Sequence, residues 1–233
     1  MELKSAVIGL GETGRPLFEI LQKYYGEDVI GFDIKDSIIM TDFLECDVLN
    51  ICIPYSSSFI NIVAEYQRVW KPSLTIIHST VPIGTTSKIK NAVHSPILGK
   101  HDQMYEDIKN FRKWIGGPLA DEARNYLQAA GLWCMTVPTS EETEALKLMC
   151  LATYGMSIAM AQYRKEVCDK YGFSYNDVIE WDKNYNQGVA SWLRRPILTP
   201  PEGKISGHCV VQNTKILNEQ HPNPILEEIL KYE

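Results

Sequence analysis

Short apolar segments rich in β-branched residues alternate with polar or helical segments through the first 138 residues of the chain. Each apolar segment has the continuous hydrophobicity of a strand that is buried on both faces of a sheet. Strands that alternate with helices are typical of βαβ units, so the pattern predicts a parallel sheet covered by helices. The segments predicted to be strands are 5–10, 28–33, 46–54, 73–82 and 132–138, and the clearest helical patterns are 15–26 and 116–131.

The pattern changes after Pro138, where a long stretch without proline or strand-like segments begins. Thr139 and Glu142 fit a capping box and Gly172 fits a C-terminal stop, so one helix is predicted from about Ser140 to Tyr171. Its middle is apolar on nearly all sides and must be buried by other helices or by a second copy. We therefore predict an α/β domain over residues 1–138, followed by a small all-helical domain over 139–233.

Composition excludes several classes of function. The chain has 233 residues, 45% of them hydrophobic, and a net charge of -6, which argues against nucleic acid or an anionic membrane as the main partner. Six scattered cysteines contain no C-x-x-C pair, so no metal site is expected. The most apolar long segment, 148–161, is shorter than the roughly 20 residues of a membrane span. With no secretory signal at its start, the chain is predicted to be cytoplasmic.

A glycine motif, GLGETG, lies between the first predicted strand and helix. Its glycines allow a tight turn, the approach of a pyrophosphate to the backbone, and close packing of helix on strand. Asp33 follows Gly14 by 19 residues at the end of the second strand, where a carboxylate binds ribose hydroxyls and disfavours NADP. The alternative is a plain glycine turn with a surface acid, and the chain looks too short to enclose FAD. We predict a Rossmann domain that binds NAD through Gly9, Leu10, Gly11, Glu12, Thr13, Gly14 and Asp33.

Four stretches together resemble the UDP-glucose/GDP-mannose dehydrogenase family, within the 6-phosphogluconate dehydrogenase-like superfamily. They are VIGLGETGRPL at 7–17, NICIPYSSS at 50–58, STVPIGTT at 79–86 and SGHCVV at 206–211. The third is the most specific, and all four stand in the family's order. The segment FRKWIGG at 111–117 also lies where the family has a similar strand.

The resemblance implies a four-electron oxidation of a nucleotide-sugar alcohol to a carboxylate, with NAD as the oxidant. Cys209 would form a thiohemiacetal and then a thioester, Lys147 would stabilise the oxyanion, and Thr80 would orient the attacking water. The long helix would pair with its twin in a homodimer. The resemblance also implies four further cofactor-binding residues, which are Ile53, Pro54, Ser79 and Thr80. It implies substrate contacts by Gly207, His208, Asn213 and Arg195, with Arg194 as the alternative arginine.

The sequence departs from the family at three positions that serve its chemistry. Ile97 stands where the family has a glutamate, Leu151 where it has an asparagine, and Asn213 where it has an aspartate. The chain ends at Glu233, so the family's third domain, which binds UDP, is expected to be missing. A smaller substrate, a partner that supplies the missing part, and loss of catalysis are all compatible with these changes.

Three functions therefore stay open from the sequence. The first is an NAD-dependent dehydrogenase that oxidises an alcohol group of a nucleotide sugar or related small substrate through Cys209. The second is a two-electron β-hydroxyacid-type dehydrogenase in which Lys147 relays a proton. The third is a non-catalytic NAD-binding module, in which Cys209 is a buried structural thiol and Lys147 is a solvated helix residue.

Overall fold

The computed structural model describes residues 3–34, 45–188, 194–205 and 209–233. The chain divides into two compact units, Met1–Lys147 and Leu148–Glu233. The first unit holds the sheet and the second is helical in its described part. These are the two kinds of structure that the sequence pattern predicts.

Within the described residues, seven strands form one sheet in the order β2-β1-β3-β4-β5-β6-β7. β2 lies beside β1 on one side, and the chain then crosses over to β3, which lies beside β1 on the other side. The strand order therefore reverses between β1 and β3, where α/β sheets of this kind have their ligand crevice. The strands are β1 Ser5–Ile8, β2 Val29–Phe32, β3 Val48–Ile51, β4 Leu74–Ile77, β5 Ala92–His94, β6 Lys113–Gly116 and β7 Cys134–Val137.

The sheet is parallel except at one junction. β5 and β6 are antiparallel, with His94 opposite Gly116, while the other five pairs are parallel as predicted. Because β6 runs in the opposite direction, its first residue, Lys113, lies at the edge of the sheet where β5 ends. This reversal determines which side chains reach that edge.

Helices cover both faces of the sheet. Alternate residues of β1 point to opposite sides, with Val7 in one hydrophobic core and Ala6 and Ile8 in the other. Leu17 of the first helix lies in the first core and Phe59 of the second helix in the other. The arrangement is a doubly wound Rossmann fold, as predicted. The helices of this unit are α1 Gly14–Tyr25, α2 Phe59–Trp70, α3 Met104–Asn110 and α4 Ala120–Ala129.

The long helix α5 spans Ser140–Tyr171, as predicted. At its start the Glu142 amide donates to Thr139 Oγ1 at 3.3 Å, and at its end Gly172 takes a φ of 74°. The division between the compact units falls inside α5, because its first two turns bond to the loops of the sheet. The sequence places the boundary near Pro138, where helix replaces strand; that domain assignment stays a prediction.

The second unit is built from the rest of α5 together with α6 Tyr175–Gly188, α7 Val210–Gln220 and α8 Pro224–Leu230. A Cβ at Gly155 would stand 2.7 Å from Val210 Cγ1, so α7 packs closely on α5. Arg164 of α5 forms an ion pair with the buried Asp182 of α6 at 2.7 Å. Among the described helices, none has the length and apolar character needed to cross a membrane.

Candidate active site

The glycine loop after β1 is closely packed against the neighbouring strand. Gly9 has a φ of 90°, and a Cβ there would stand 2.8 Å from the Cys52 carbonyl oxygen. A Cβ on Gly14 would stand 1.8 Å from the Gly9 carbonyl oxygen, so helix α1 can begin there only with glycine. Nothing lies within 4 Å of the corresponding point at Gly11. The loop therefore has two glycines that packing requires and one that leaves the backbone open to a ligand.

Asp33, at the end of β2, is bound to this loop. The Leu10 amide donates to Asp33 Oδ2 at 2.7 Å, which holds the half-buried carboxylate beside the turn. The first turn of α1 contains no acidic residue, and the side chain of its N-cap residue, Thr13, bonds to no helix amide. Glu12 is exposed in the loop. The positive end of the helix dipole and the open backbone at Gly11 fit a pyrophosphate, and Asp33 fits an adenosine ribose.

The loops after β3 and β4 meet the glycine loop at the same edge of the sheet. Ser79 Oγ donates to the Ile53 carbonyl oxygen at 2.6 Å, and Ile53 Cγ2 lies 3.0 Å from the point where a Gly9 Cβ would stand. Pro54 is exposed and Thr80 is half-buried. The structure thus brings residues from three predicted stretches, which are far apart in the sequence, to the carboxyl ends of β1, β3 and β4.

Lys147 lies in the second turn of α5, and its Nζ donates to the Ile97 carbonyl oxygen at 2.8 Å. One turn earlier, Glu144 accepts from the Gly84 amide at 2.6 Å and from the Thr86 amide at 2.8 Å. Burial raises the pKa of Glu144, while these hydrogen bonds favour its charged form. Glu144 therefore attaches α5 to the loop after β4 and sets the position of Lys147 against the sheet. The family resemblance did not single out Glu144.

A buried polar network lies between the ends of β3, β4, β5 and β6, and the sequence analysis missed it. His78 Nε2 lies 3.1 Å from Asn50 Oδ1, and His78 Nδ1 lies 2.8 Å from the Ser95 carbonyl oxygen and 3.1 Å from Lys113 Nζ. His94 joins the Ser79 carbonyl oxygen, 3.1 Å away, to Thr143 Oγ1 of α5, 2.8 Å away. The sequence signal for this network was the presence of a lysine and two histidines inside strand-like segments.

This network makes stability depend on pH. Burial lowers the pKa of His94 from 6.5 to about 3, so the unfolded chain binds a proton that the folded chain does not accept between these values. Unfolding free energy should fall by about 1.4 kcal/mol per pH unit on account of His94 as the pH drops below about 6.5. Urea unfolding between pH 6.5 and 4.5 measures this slope. His94→Gln should reduce it, and His221→Gln, at an exposed histidine, should keep it. An unchanged slope in His94→Gln would contradict the assignment.

In the second unit, Cys209 is the N-cap residue of α7 and is half-buried. Asn213 Nδ2 donates to the Cys209 carbonyl oxygen at 2.6 Å, so the amide holds the backbone at the start of the helix. Arg195 stacks on the ring of Tyr185 with its Cζ 3.7 Å from the centroid, and its Nη1 lies 3.6 Å from Asp182 Oδ1. The predicted substrate residues Gly207 and His208 lie outside the described residues. None of the six cysteines, all of which lie within the described residues, forms a disulfide.

The fold and the site together define the class of protein. A doubly wound sheet, a glycine loop at the point where the strand order reverses, and an acid at the end of β2 are the features of a dehydrogenase-type Rossmann domain. Among the described residues, no group of three or more histidine, cysteine, aspartate or glutamate side chains could hold a metal ion.

Comparison with known proteins places the chain beside nucleotide-sugar dehydrogenases. It is 23% identical to a UDP-N-acetyl-D-mannosamine dehydrogenase of Methanococcus maripaludis over 89% of its own length and 59% of that protein. The structure of the UDP-D-ManNAc dehydrogenase of Pyrococcus horikoshii has a TM-score of 0.81 at 19% identity and covers 99% of this chain and 68% of that one. The resemblance noted in the sequence is confirmed: the chain is related to nucleotide-sugar dehydrogenases.

The fold extends to a second kind of dehydrogenase. The 3-hydroxyisobutyrate dehydrogenase of Mycobacterium tuberculosis has a TM-score of 0.73 at 14% identity, with 99% of this chain and 92% of that one covered. No family model matches the chain. The chain thus spans about three fifths of the curated nucleotide-sugar dehydrogenase that it matches, and nearly all of the shorter hydroxyacid enzyme.

Proposed function

We propose that the chain is an NAD-dependent oxidoreductase of the nucleotide-sugar dehydrogenase type, acting on an alcohol group of a small substrate. The observation that carries the proposal is the glycine loop itself. Gly9 and Gly14 pack without room for a side chain, Gly11 is open, and the Leu10 amide holds Asp33 beside the turn. This cradle fits a dinucleotide, and the Asp33 carboxylate favours NAD over NADP.

The chain's own residues would perform the rest of the chemistry. When bound, NAD is the acceptor for the hydride that leaves the alcohol carbon. Lys147 would hold positive charge beside the oxygen as negative charge develops on it. Cys209, at the N-terminus of α7, would add through its sulfur to the aldehyde carbon. The thiohemiacetal carbon would then give up a second hydride, to a second molecule of NAD, and Thr80 would orient the water that releases the acid from the resulting thioester.

A two-electron reaction is the second candidate, and Ile97 favours it. Its side chain is 5% exposed and belongs to the hydrophobic core, at the position where the resemblance expects a glutamate. Without a carboxylate at this position, Lys147 would carry out the proton transfer. Its Nζ bonds to the Ile97 carbonyl oxygen. In this reaction the alcohol is oxidised once, and Cys209 has no covalent role.

We also propose that two copies pair through α5 and that a nucleotide sugar is the first substrate to test. Several large apolar residues along α5 are exposed, which is typical of a helix that packs against a partner. They include Leu146, Met149, Tyr154, Met160 and Tyr163.

A cytoplasmic location and the absence of a nucleic-acid partner remain predictions from the sequence.

Calorimetry with NAD, NADP and a panel of UDP-sugars, GDP-sugars and β-hydroxyacids tests the proposal, with absorbance at the NADH band followed in the same samples. NAD should bind at least about tenfold more tightly than NADP, because Asp33 repels the 2′-phosphate. Two NADH per sugar would support the four-electron reaction, and one would support the two-electron reaction. NAD binding without NADH from any sugar or hydroxyacid would contradict the enzymatic proposal, and no NAD binding would contradict the cofactor site.

A further inference from the structure

Lys113 is a buried lysine in the sheet whose hydrogen bonds to carbonyl oxygens lie on a single short segment. It is the first residue of β6 and is 3% exposed. Its Nζ donates to the Ser95 carbonyl oxygen at 2.7 Å and to the Pro96 carbonyl oxygen at 3.2 Å, and it lies 3.1 Å from His78 Nδ1. A buried amine is stable only when its donors are used, and here two of the three partners are consecutive carbonyls just beyond β5.

The next carbonyl of the same segment binds Lys147. The Ile97 carbonyl oxygen accepts from Lys147 Nζ at 2.8 Å. Two lysines from β6 and α5 therefore bind three consecutive carbonyls. The fixed φ of Pro96 couples the Ser95 and Pro96 carbonyls, and the Ile97 carbonyl lies on the next peptide unit, so a movement of the first two displaces the third.

We propose that Lys113 is a positioning residue that fixes Lys147 by holding the main chain of segment 95–97. Without a donor at position 113, the Pro96 carbonyl would lose this partner and the Ser95 carbonyl would keep the His78 ring nitrogen, 2.8 Å away, so the segment would shift to recover the lost hydrogen bonds. The Ile97 carbonyl would move with it, and Lys147 would lose this hydrogen bond. The importance of Lys147 rests on the proposed function, whereas its anchoring can be measured without substrate or cofactor.

Lysine labelling tests the proposal directly. The full chain is treated with formaldehyde and a borohydride reductant, and mass spectrometry gives the methylation rate of Lys147 relative to the exposed Lys109. Lys113→Met keeps most of the length of the side chain and removes its donors, and Lys165→Met makes the same change at a lysine of α5 whose side chain is 44% exposed. We expect relative labelling of Lys147 to rise about five- to tenfold in Lys113→Met, the equivalent of one lost hydrogen bond, and to stay unchanged in Lys165→Met. An unchanged ratio in folded Lys113→Met would overturn the proposal.

A pH series on the unaltered chain gives a second test that does not depend on the folding of a variant. Burial lowers the pKa of Lys113 from 10.5 to about 7. The other ionisable groups around it are His78, His94, Cys52, Cys134 and Lys147. Burial lowers the pKa of both histidines well below 6.5 and raises that of both thiols to about 11 or 12, so these four do not change charge between pH 6 and 8.

The ratio of Lys147 to Lys109 labelling should therefore rise by about threefold or more from pH 6 to pH 8, as the Lys113 amine loses its charge and holds the carbonyls less strongly. A flat ratio across pH 7 would overturn the proposal. The inference and the proposed function fail separately. Absence of NADH with the expected labelling pattern counts against the enzyme, and NADH production with flat labelling counts against the role of Lys113.

Discussion

Gly14→Ala should destabilise the chain by about 3 kcal/mol or more, because the new methyl group would stand 1.8 Å from the Gly9 carbonyl oxygen and 2.9 Å from Cys52 Cβ. Both neighbours are fixed, since Gly9 bonds to the Phe32 carbonyl oxygen at 2.8 Å and Cys52 bonds to that of Ile8 at 2.8 Å. The helix or the loop must move away from β1. Urea unfolding in the absence of any cofactor measures this loss.

Gly11→Ala is the matched control for the same loop. Nothing lies within 4 Å of a Cβ at Gly11, so its folding free energy should stay within about 1 kcal/mol of the unaltered chain. The methyl group would instead obstruct the approach of a pyrophosphate, and NAD affinity should fall roughly tenfold, about 1.4 kcal/mol. Equal destabilisation by the two substitutions would show that close packing does not explain Gly14. Unchanged NAD affinity in Gly11→Ala would remove the loop from the cofactor site.

Cys209→Ser should lower the rate of acid formation by roughly 10³-fold or more if the four-electron reaction holds, and NADH per substrate should fall from two to one. A serine hydroxyl at neutral pH is a far weaker nucleophile than a thiolate, so the aldehyde would not be captured and the second oxidation would stop. The measurement is NADH formed per substrate consumed, with the product identified as aldehyde or acid.

Cys150→Ser is the matched control, since Cys150 is an exposed thiol on α5. It should keep full activity and the unaltered stoichiometry. Full activity in Cys209→Ser, with one NADH per substrate in both the variant and the unaltered chain, would exclude the covalent step and support the two-electron reaction through Lys147. Loss of activity in both variants would indicate a general sensitivity of the chain to thiol removal.

Much of the first unit could be predicted because its information is local. Val48–Ile51 and Leu74–Ile77 are strands with three apolar residues out of four, and Thr139 and Gly172 mark the two ends of α5. Strand β5 is only three residues long and contains the buried His94, so its pattern is too short and too polar to be recognised alone. Strand β6 begins with a lysine, which a hydrophobic pattern reads as a surface residue.

The candidate site also contains some residues that could be predicted from the sequence and others that could not. The glycine loop and Asp33 are a motif with fixed spacing, and they could be found directly. The partners of Glu144 and Lys113 could not, because they are set by tertiary contacts. Glu144 bonds to amides about 60 residues earlier in the chain, and Lys113 bonds to carbonyls 17 and 18 residues before it. No local periodicity reports that a charged side chain will be buried against main-chain groups.

The direction of β6 also matters for how this edge of the sheet can be modified in evolution or by design. Parallel strands present only their last residues and following loops to such an edge, so new chemistry usually enters through loop changes. Because β6 is reversed against β5, the edge also receives a side chain from the beginning of a strand. A single substitution at Lys113 can therefore alter the environment of Lys147 from inside the rigid scaffold, with every loop left unchanged in length and sequence.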